Sequence, residues 1–385
     1  MVCPARRKNL KTRKRIHLLL AVFILLMGFA STSLAFPLSG QLELSQPLTL
    51  QWRYLSEQTI NLTPATDGER VYLPLTAGVI VSLRAADGQL LWKTDIGGEL
   101  SAAPVADERG VYLASESQTG SGAKAQVNGT IRALGRESGV TQWVKALPMP
   151  IRAALASNHD TIFGGASDGR IYAIRKTTGE ILWNKQVSSP LASQLTLVGS
   201  RLYIGAEDGK LYALEQKTGR ILWHYQTHGM VRGRVAVADG VVYFGSADGY
   251  VYAVNEETGR WRWRARTGAS VQSVLSVRNG LLVASLDNFV YFLSLTRGDR
   301  VWKRQLVGRL AAEPLATFDG ALFTPLSGDT GVVLDLKDGK QLNSLPVGED
   351  SNMAASPIIA GEMLLVTTRH GLLAFSRPQA TTKKQ

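Results

Sequence analysis

A 40-residue period constrains this chain more than any other feature of its sequence. Asp168-Gly169-Arg170-Ile171-Tyr172-Ala173-Ile174 leads through Thr178-Gly179 to Trp183. Asp208-Gly209-Lys210-Leu211-Tyr212-Ala213-Leu214 leads through Thr218-Gly219 to Trp223, and Asp248-Gly249-Tyr250-Val251-Tyr252-Ala253-Val254 through Thr258-Gly259 to Trp263. A fixed period of this size marks a repeat architecture in which each unit must stack on its neighbours to bury a core. Within a unit, Asp-Gly and Thr-Gly are turn signals, and the runs between them are β-branched and aromatic. Another hairpin precedes each Asp-Gly, as in Leu195–Val198, Gly199-Ser200 and Leu202–Gly205. Four short strands per unit leave no room for a helix, so the expected fold is all-β. Four-stranded antiparallel units at this period are the blades of a β-propeller.

The register extends in both directions. Trp92, Trp143 and Trp302 continue the series, and Asn343 stands where the next tryptophan would fall. The interval from Trp92 to Trp143 is longer by the polar run Ser117–Val127, which reads as an inserted loop. The last unit ends at Phe375 without its tryptophan strand, while Leu48–Tyr54 carries Trp52 with no earlier strands of its own. The N-terminal strand is therefore expected to complete the last blade and close the ring, leaving no open seam. The count is eight blades over residues 48–376, with an N-terminal segment at 36–47 and a tail at 377–385.

Residues 1–35 have a different character. Seven Lys and Arg residues precede an apolar run, Leu18–Ala30, and Ser33-Leu34-Ala35 gives a small-x-small signature before Phe36. This is a signal-peptide pattern, with an uncleaved anchor as the alternative. Export to the periplasm or cell envelope is the expected localisation. Without the seven basic residues of this segment the net charge falls from +12 to +5. No basic stripe with interleaved aromatics appears in the repeats, so nucleic acid is not an expected partner. The single cysteine, Cys3, lies in the targeting segment. That excludes intramolecular disulfides, and no cysteine follows the apolar run to accept a lipid.

The repeated residues read first as structure. A ring the size of Trp52, Trp92, Trp143, Trp183, Trp223, Trp263 or Trp302 can dock between blades, its N–H reaching a backbone carbonyl. Gly179, Gly219 and Gly259 let such a ring approach the backbone and form the turn. Asp168, Asp208 and Asp248 could suggest calcium. As lone acids before glycine in separate blades they read instead as turn residues. No Gly-x-Ser-x-Gly element, histidine ligand spacing or acidic constellation can be picked out, so catalytic, cofactor and metal sites are expected to be absent.

The spacing Ala173-x4-Thr178-Gly179-x3-Trp183 and its two copies resemble the tryptophan-docking motif of the pyrroloquinoline-quinone (PQQ) repeat superfamily, over nearly the whole of residues 48–376. Within it, the size, export signal, blade count and composite last blade are similar to the BamB family of outer-membrane assembly scaffolds. That resemblance implies a non-catalytic, monomeric scaffold, peripheral to the membrane, that binds the core protein of the β-barrel assembly machinery. The family's partner-contacting Leu-Arg-Gly loop is matched here by Val231-Arg232-Gly233, with Arg152 at the equivalent place two blades earlier. The alternatives are a quinoprotein dehydrogenase, which would carry PQQ and calcium, or a propeller that binds polysaccharide or peptide.

Overall fold

A computed structural model describes residues 42–120, 126–191, 193–310, 312–326, 328–348 and 355–378. The expected signal peptide, residues 36–41, the centre of the 117–127 run and the end of the tail lie outside the described residues. The described strands form eight four-stranded sheets with antiparallel neighbours, and no helix occurs among the described residues. Blade 1 runs from Ala65 to Asp95, and blades 2 to 7 follow in chain order to Pro346. Blade 8 takes its inner three strands from residues 358–376 and its outermost strand, Thr49–Leu55, from the N-terminal end. Leu55 pairs with Gly371 and Tyr54 with Leu372, so the ring closes by β-pairing between the two ends of the chain.

The repeat motif explains each blade's construction. The two middle strands are packed on both faces by neighbouring blades, so they are apolar without alternation. Leu202, Tyr203 and Ile204 are all buried, as are Leu211, Tyr212, Ala213 and Leu214. Asp168, Asp208 and Asp248 each accept the amide two residues on, at 3.0, 3.2 and 3.1 Å, and so shape the turn into the third strand. The following Asp-Gly glycines have φ of 82–85° in these three blades, a region glycine enters without a steric cost.

The outermost strand carries a register shift immediately before its tryptophan, or before Asn343 in blade 7. In blade 4, Ala213 pairs with Trp223 while Leu214 pairs with Ile221, which leaves Leu222 as an extra residue. Blades 3, 5 and 6 show the same shift. Such a bulge re-aims the side chain beside it. Here it turns the indole toward the next blade, where a carbonyl and a glycine receive it.

The insertion differs from the loop expected there. The polar run 117–127 extends a hairpin, with strands Val111–Thr119 and Gln126–Leu134 paired as far as Thr119 with Gln126. The described part is therefore strand where a loop was expected. Two strands can satisfy each other's backbone groups while exposing both faces to water, and apolar periodicity gives no sign of that.

Candidate functional site

The segments that lead into the innermost strands converge at the ring axis. They line a funnel of about 640 Å3 with contributions from all eight blades, among them Thr63, Ala103, Arg152, Gln194, Arg234, Gln272, Glu313 and Ser356. Its wall is stitched between blades. Glu313 N donates to Ser356 Oγ at 3.0 Å, and Ser356 N donates to Thr63 Oγ1 at 3.1 Å, which links blades 7, 8 and 1 on the inner side.

Arg232 and Gly233 line this funnel, and Val231 precedes them beneath the surface. Val231 is buried, and its N–H donates to Ala206 O at 3.1 Å. It presses against Gly205, where an added Cβ would lie 2.2 Å from the Val231 carbonyl oxygen. At Gly233 an added Cβ would meet Gln272 O at 2.3 Å. The two flanking residues thus fix the backbone, and Arg232 projects from it with its side chain 57% exposed. Its ion-pair partner is Glu207, at 3.3 Å and itself partly exposed. Arg152 has the same design on blade 3. Ile151 beside it is buried, its own N–H donates to Gly165 O at 2.9 Å, and its guanidinium pairs with Glu116 at 2.5 Å.

Sequence reasoning did not find the rest of the cluster. Arg234 lines the funnel two residues beyond Arg232, and Glu313 faces it from blade 7. Burial pushes the Glu313 carboxyl above the usual carboxylate range, and Arg234 opposes that rise. With its amide oriented as the carboxylate requires, Gln194 of blade 4 donates to both Glu313 oxygens at 2.5 and 3.0 Å. Blades 4, 5 and 7 therefore meet across the axis. The three cations among the described funnel-lining residues, Arg152, Arg232 and Arg234, are all arginines, so the funnel suits a carboxylate or another anionic group.

The residues fit a calcium-bound quinone poorly. Glu313 is the one carboxylate among the described funnel-lining residues, and calcium needs six to eight oxygens, several of them charged. Nor do any three His, Cys, Asp or Glu side chains cluster as a metal site among the described residues.

The tryptophans occupy the periphery. Trp92, Trp143, Trp183 and Trp223 donate through Nε1 to Arg136 O, Lys176 O, Gln216 O and Glu256 O at 2.8–2.9 Å, each in the following blade. Trp263 and Trp302 repeat this with Leu295 O and Leu336 O at 3.1 Å, and Trp52 with Ala85 O at 3.0 Å. The receiving glycine also belongs to the following blade. Gly179 takes Trp143, Gly219 takes Trp183 and Gly259 takes Trp223, and a Cβ there would lie 2.5–2.7 Å from the ring. Blade 7 departs from this pattern. Asn343 donates to Leu44 O and Gln46 O, and Leu44 fills the space with no exposed surface.

A closed ring of eight blades, clasped by indoles and opening on an arginine-lined funnel, defines a tryptophan-docked β-propeller. The family model of outer membrane protein assembly factor BamB matches residues 45–126, 127–232 and 228–385, and the chain belongs to that family. No curated protein matches the sequence. Among solved structures, BamB from Moraxella catarrhalis is similar with a TM-score of 0.73 at 15% identity, covering 86% of this chain and 100% of that one. The computationally designed Ika8 protein gives 0.70 at 18% identity, covering 83% and 97%. The quinohemoprotein alcohol dehydrogenase from Comamonas testosteroni gives 0.67 at 12% identity, covering 88% and 78%. At these identities the structural likeness concerns the fold alone.

Proposed function

We propose that this chain is a non-catalytic scaffold of the cell envelope. Its funnel mouth binds a protein partner during outer-membrane protein assembly, and that partner is the β-barrel assembly core protein. Membership of the family supports the role, and the presentation of Arg232 is the observation that carries it. Val231 and Gly233 lock the backbone on either side, so little conformational freedom is lost when Arg232 is captured. Its present partner, Glu207, is a weak and exposed one that a carboxylate on another protein can replace.

The test is capture of the core protein from detergent-solubilised envelopes by the tagged chain, beside Arg232→Glu. The reading expects recovery with the native chain and loss with the variant, at an unchanged melting temperature. Equal recovery with both would remove the funnel mouth from the interface. A melting temperature well below the native one would make Arg232 a structural residue instead.

A further inference from the structure

The eight outermost strands provide an internal comparison, because each occupies the same place in its blade. In blades 3 and 4 these strands are Ile181–Gln186 and Ile221–Gln226, with one lysine between them. Blade 5 reads Trp-Arg-Trp-Arg-Ala-Arg over Trp261–Arg266, preceded by Arg260, and blade 6 reads Arg-Val-Trp-Lys-Arg-Gln over Arg300–Gln305. Neither strand contains an acid. Arg262 takes the bulge position that Leu182 and Leu222 hold elsewhere.

These cations have little to do within the fold. Among the described residues, Arg260, Arg262, Arg264, Arg266 and Arg300 form no ion pair with a carboxylate. The acids nearest in sequence to the blade 5 arginines, Glu256 and Glu257, are engaged by Arg201 of blade 4 at 3.2 and 2.6 Å, and Asp299 stands beside Arg300 in the chain without pairing with it. Position 266 has also given up a structural contact. Its counterparts Gln186 and Gln226 each donate twice to backbone carbonyls and lock the Asp-Gly turn, with distances of 2.6–3.0 Å. Arg266 makes no such bond among the described residues. Arg264 lies over the Tyr250 ring, 4.7 Å from its centroid, which holds its guanidinium in place.

Trp261 supplies the second half of the pattern. It is the one tryptophan outside the docking series, and it is 60% exposed where blades 3 and 4 have isoleucine. On blade 6, Val301 beside its docking tryptophan is 58% exposed. An exposed indole flanked by arginines, on an outer wall, matches a surface that is apolar below and anionic above. A single carboxylate would call for a pocket with converging donors, and neither Trp261 nor these arginines line any of the main cavities, although Val301 borders one between blades 6 and 7.

We propose that the outer wall of blades 5 and 6 is a docking surface for an anionic lipid bilayer. Trp261 enters the headgroup layer, and the arginines of Trp261–Arg266, with Arg260 and Arg300, take the headgroup phosphates. The attraction is electrostatic and short-ranged, so it weakens with salt. This surface lies away from the funnel and does not depend on how the funnel is used.

The test uses residues 40–385, because every described strand and all eight apolar clusters fall within them and they form one compact unit. Vesicles of phosphatidylcholine alone are compared with vesicles of equal parts phosphatidylcholine and phosphatidylglycerol. Co-sedimentation is expected with the anionic vesicles only, with a blue shift in tryptophan emission that Trp261→Phe removes. Arg262→Glu with Arg264→Glu should weaken binding by at least about tenfold, given roughly 1 kcal/mol for each basic residue near such a surface. If that double variant misfolds, Arg266→Gln restores the turn lock of blades 3 and 4 and should still weaken binding measurably. Absence of binding to anionic vesicles, binding unaltered in folded variants, or capture of polyglutamate in place of vesicles would each overturn the proposal, the last in favour of an acidic protein.

Discussion

Asn343 Nδ2 donates to Gln46 O at 2.8 Å, between residues 297 positions apart in the chain. The amide stands where the seven other blades place a docking indole, and the N-terminal segment comes to it. Leu44, with no exposed surface, fills the space beneath. Blade 7 is thus fastened to blade 8 through a segment that also leads into the closing strand.

Leu44→Ala should therefore behave as a core truncation. A loss of about 2–5 kcal/mol is expected in denaturant unfolding. Deleting residues 36–56 removes both the plug and the closing strand, and should destabilise the protein far more. Native melting after that deletion would contradict closure by the N-terminal strand.

The same segment should respond to acid. Burial alone would push the Asp319 carboxyl up, but donation from Ser45, Thr317 and Leu44 outweighs it and holds the group below its ordinary value. Ser45 N donates at 2.9 Å and Leu44 N at 3.2 Å. A depressed folded value contributes stability that is present above the unfolded value, about 3.9, and is lost as pH falls through the folded one. Asp319→Asn should flatten this acid limb in urea midpoints measured against pH. An unchanged acid limb would show that Asp319 does not hold the segment.

Two glycines separate backbone strain from ring docking. Gly199 has φ of 54° with open space around it, whereas Gly219 has φ of 69° with Trp183 Cε3 2.5 Å from an added Cβ. Gly199→Ala should cost about 1 kcal/mol, the conformational part alone. Gly219→Ala should cost several-fold more, because the ring must leave its seat. Equal losses in thermal unfolding would mean that the indole adjusts freely.

Lys176 is almost fully buried, and its ammonium meets Asp107 Oδ2 at 2.6 Å. Its carbonyl also receives Trp143. Asp107→Ala leaves that charge without a partner and should cost about 3 kcal/mol or more. Adding Lys176→Met should recover much of the loss. Additive losses in the double variant would contradict a coupled pair.

Much of this architecture was legible in the sequence. The Thr-Gly and tryptophan spacing gave the blade, and the unpaired Trp52 strand gave the closure, because every unit solves the same packing problem with the same residues. The plug was not legible, since Leu42 and Leu44 fit no repeat and a sequence cannot show which gap they fill. Arg232 was found through the resemblance, by the match of Val231-Arg232-Gly233 to the family's Leu-Arg-Gly loop. Arg234, Gln194 and Glu313 escaped because ring closure, and not proximity in the chain, brings blades 4, 5 and 7 to one axis.

The central claim is that the rigidly held Arg232 belongs to a protein-binding rim. Affinity capture from solubilised envelopes, with the native chain beside Arg232→Glu and recovery of the β-barrel assembly core protein quantified by mass spectrometry, tests it most directly. The account predicts recovery with the native chain and its loss with a variant that melts at the same temperature. Failure to recover that protein with the native chain, or equal recovery with the variant, would contradict it.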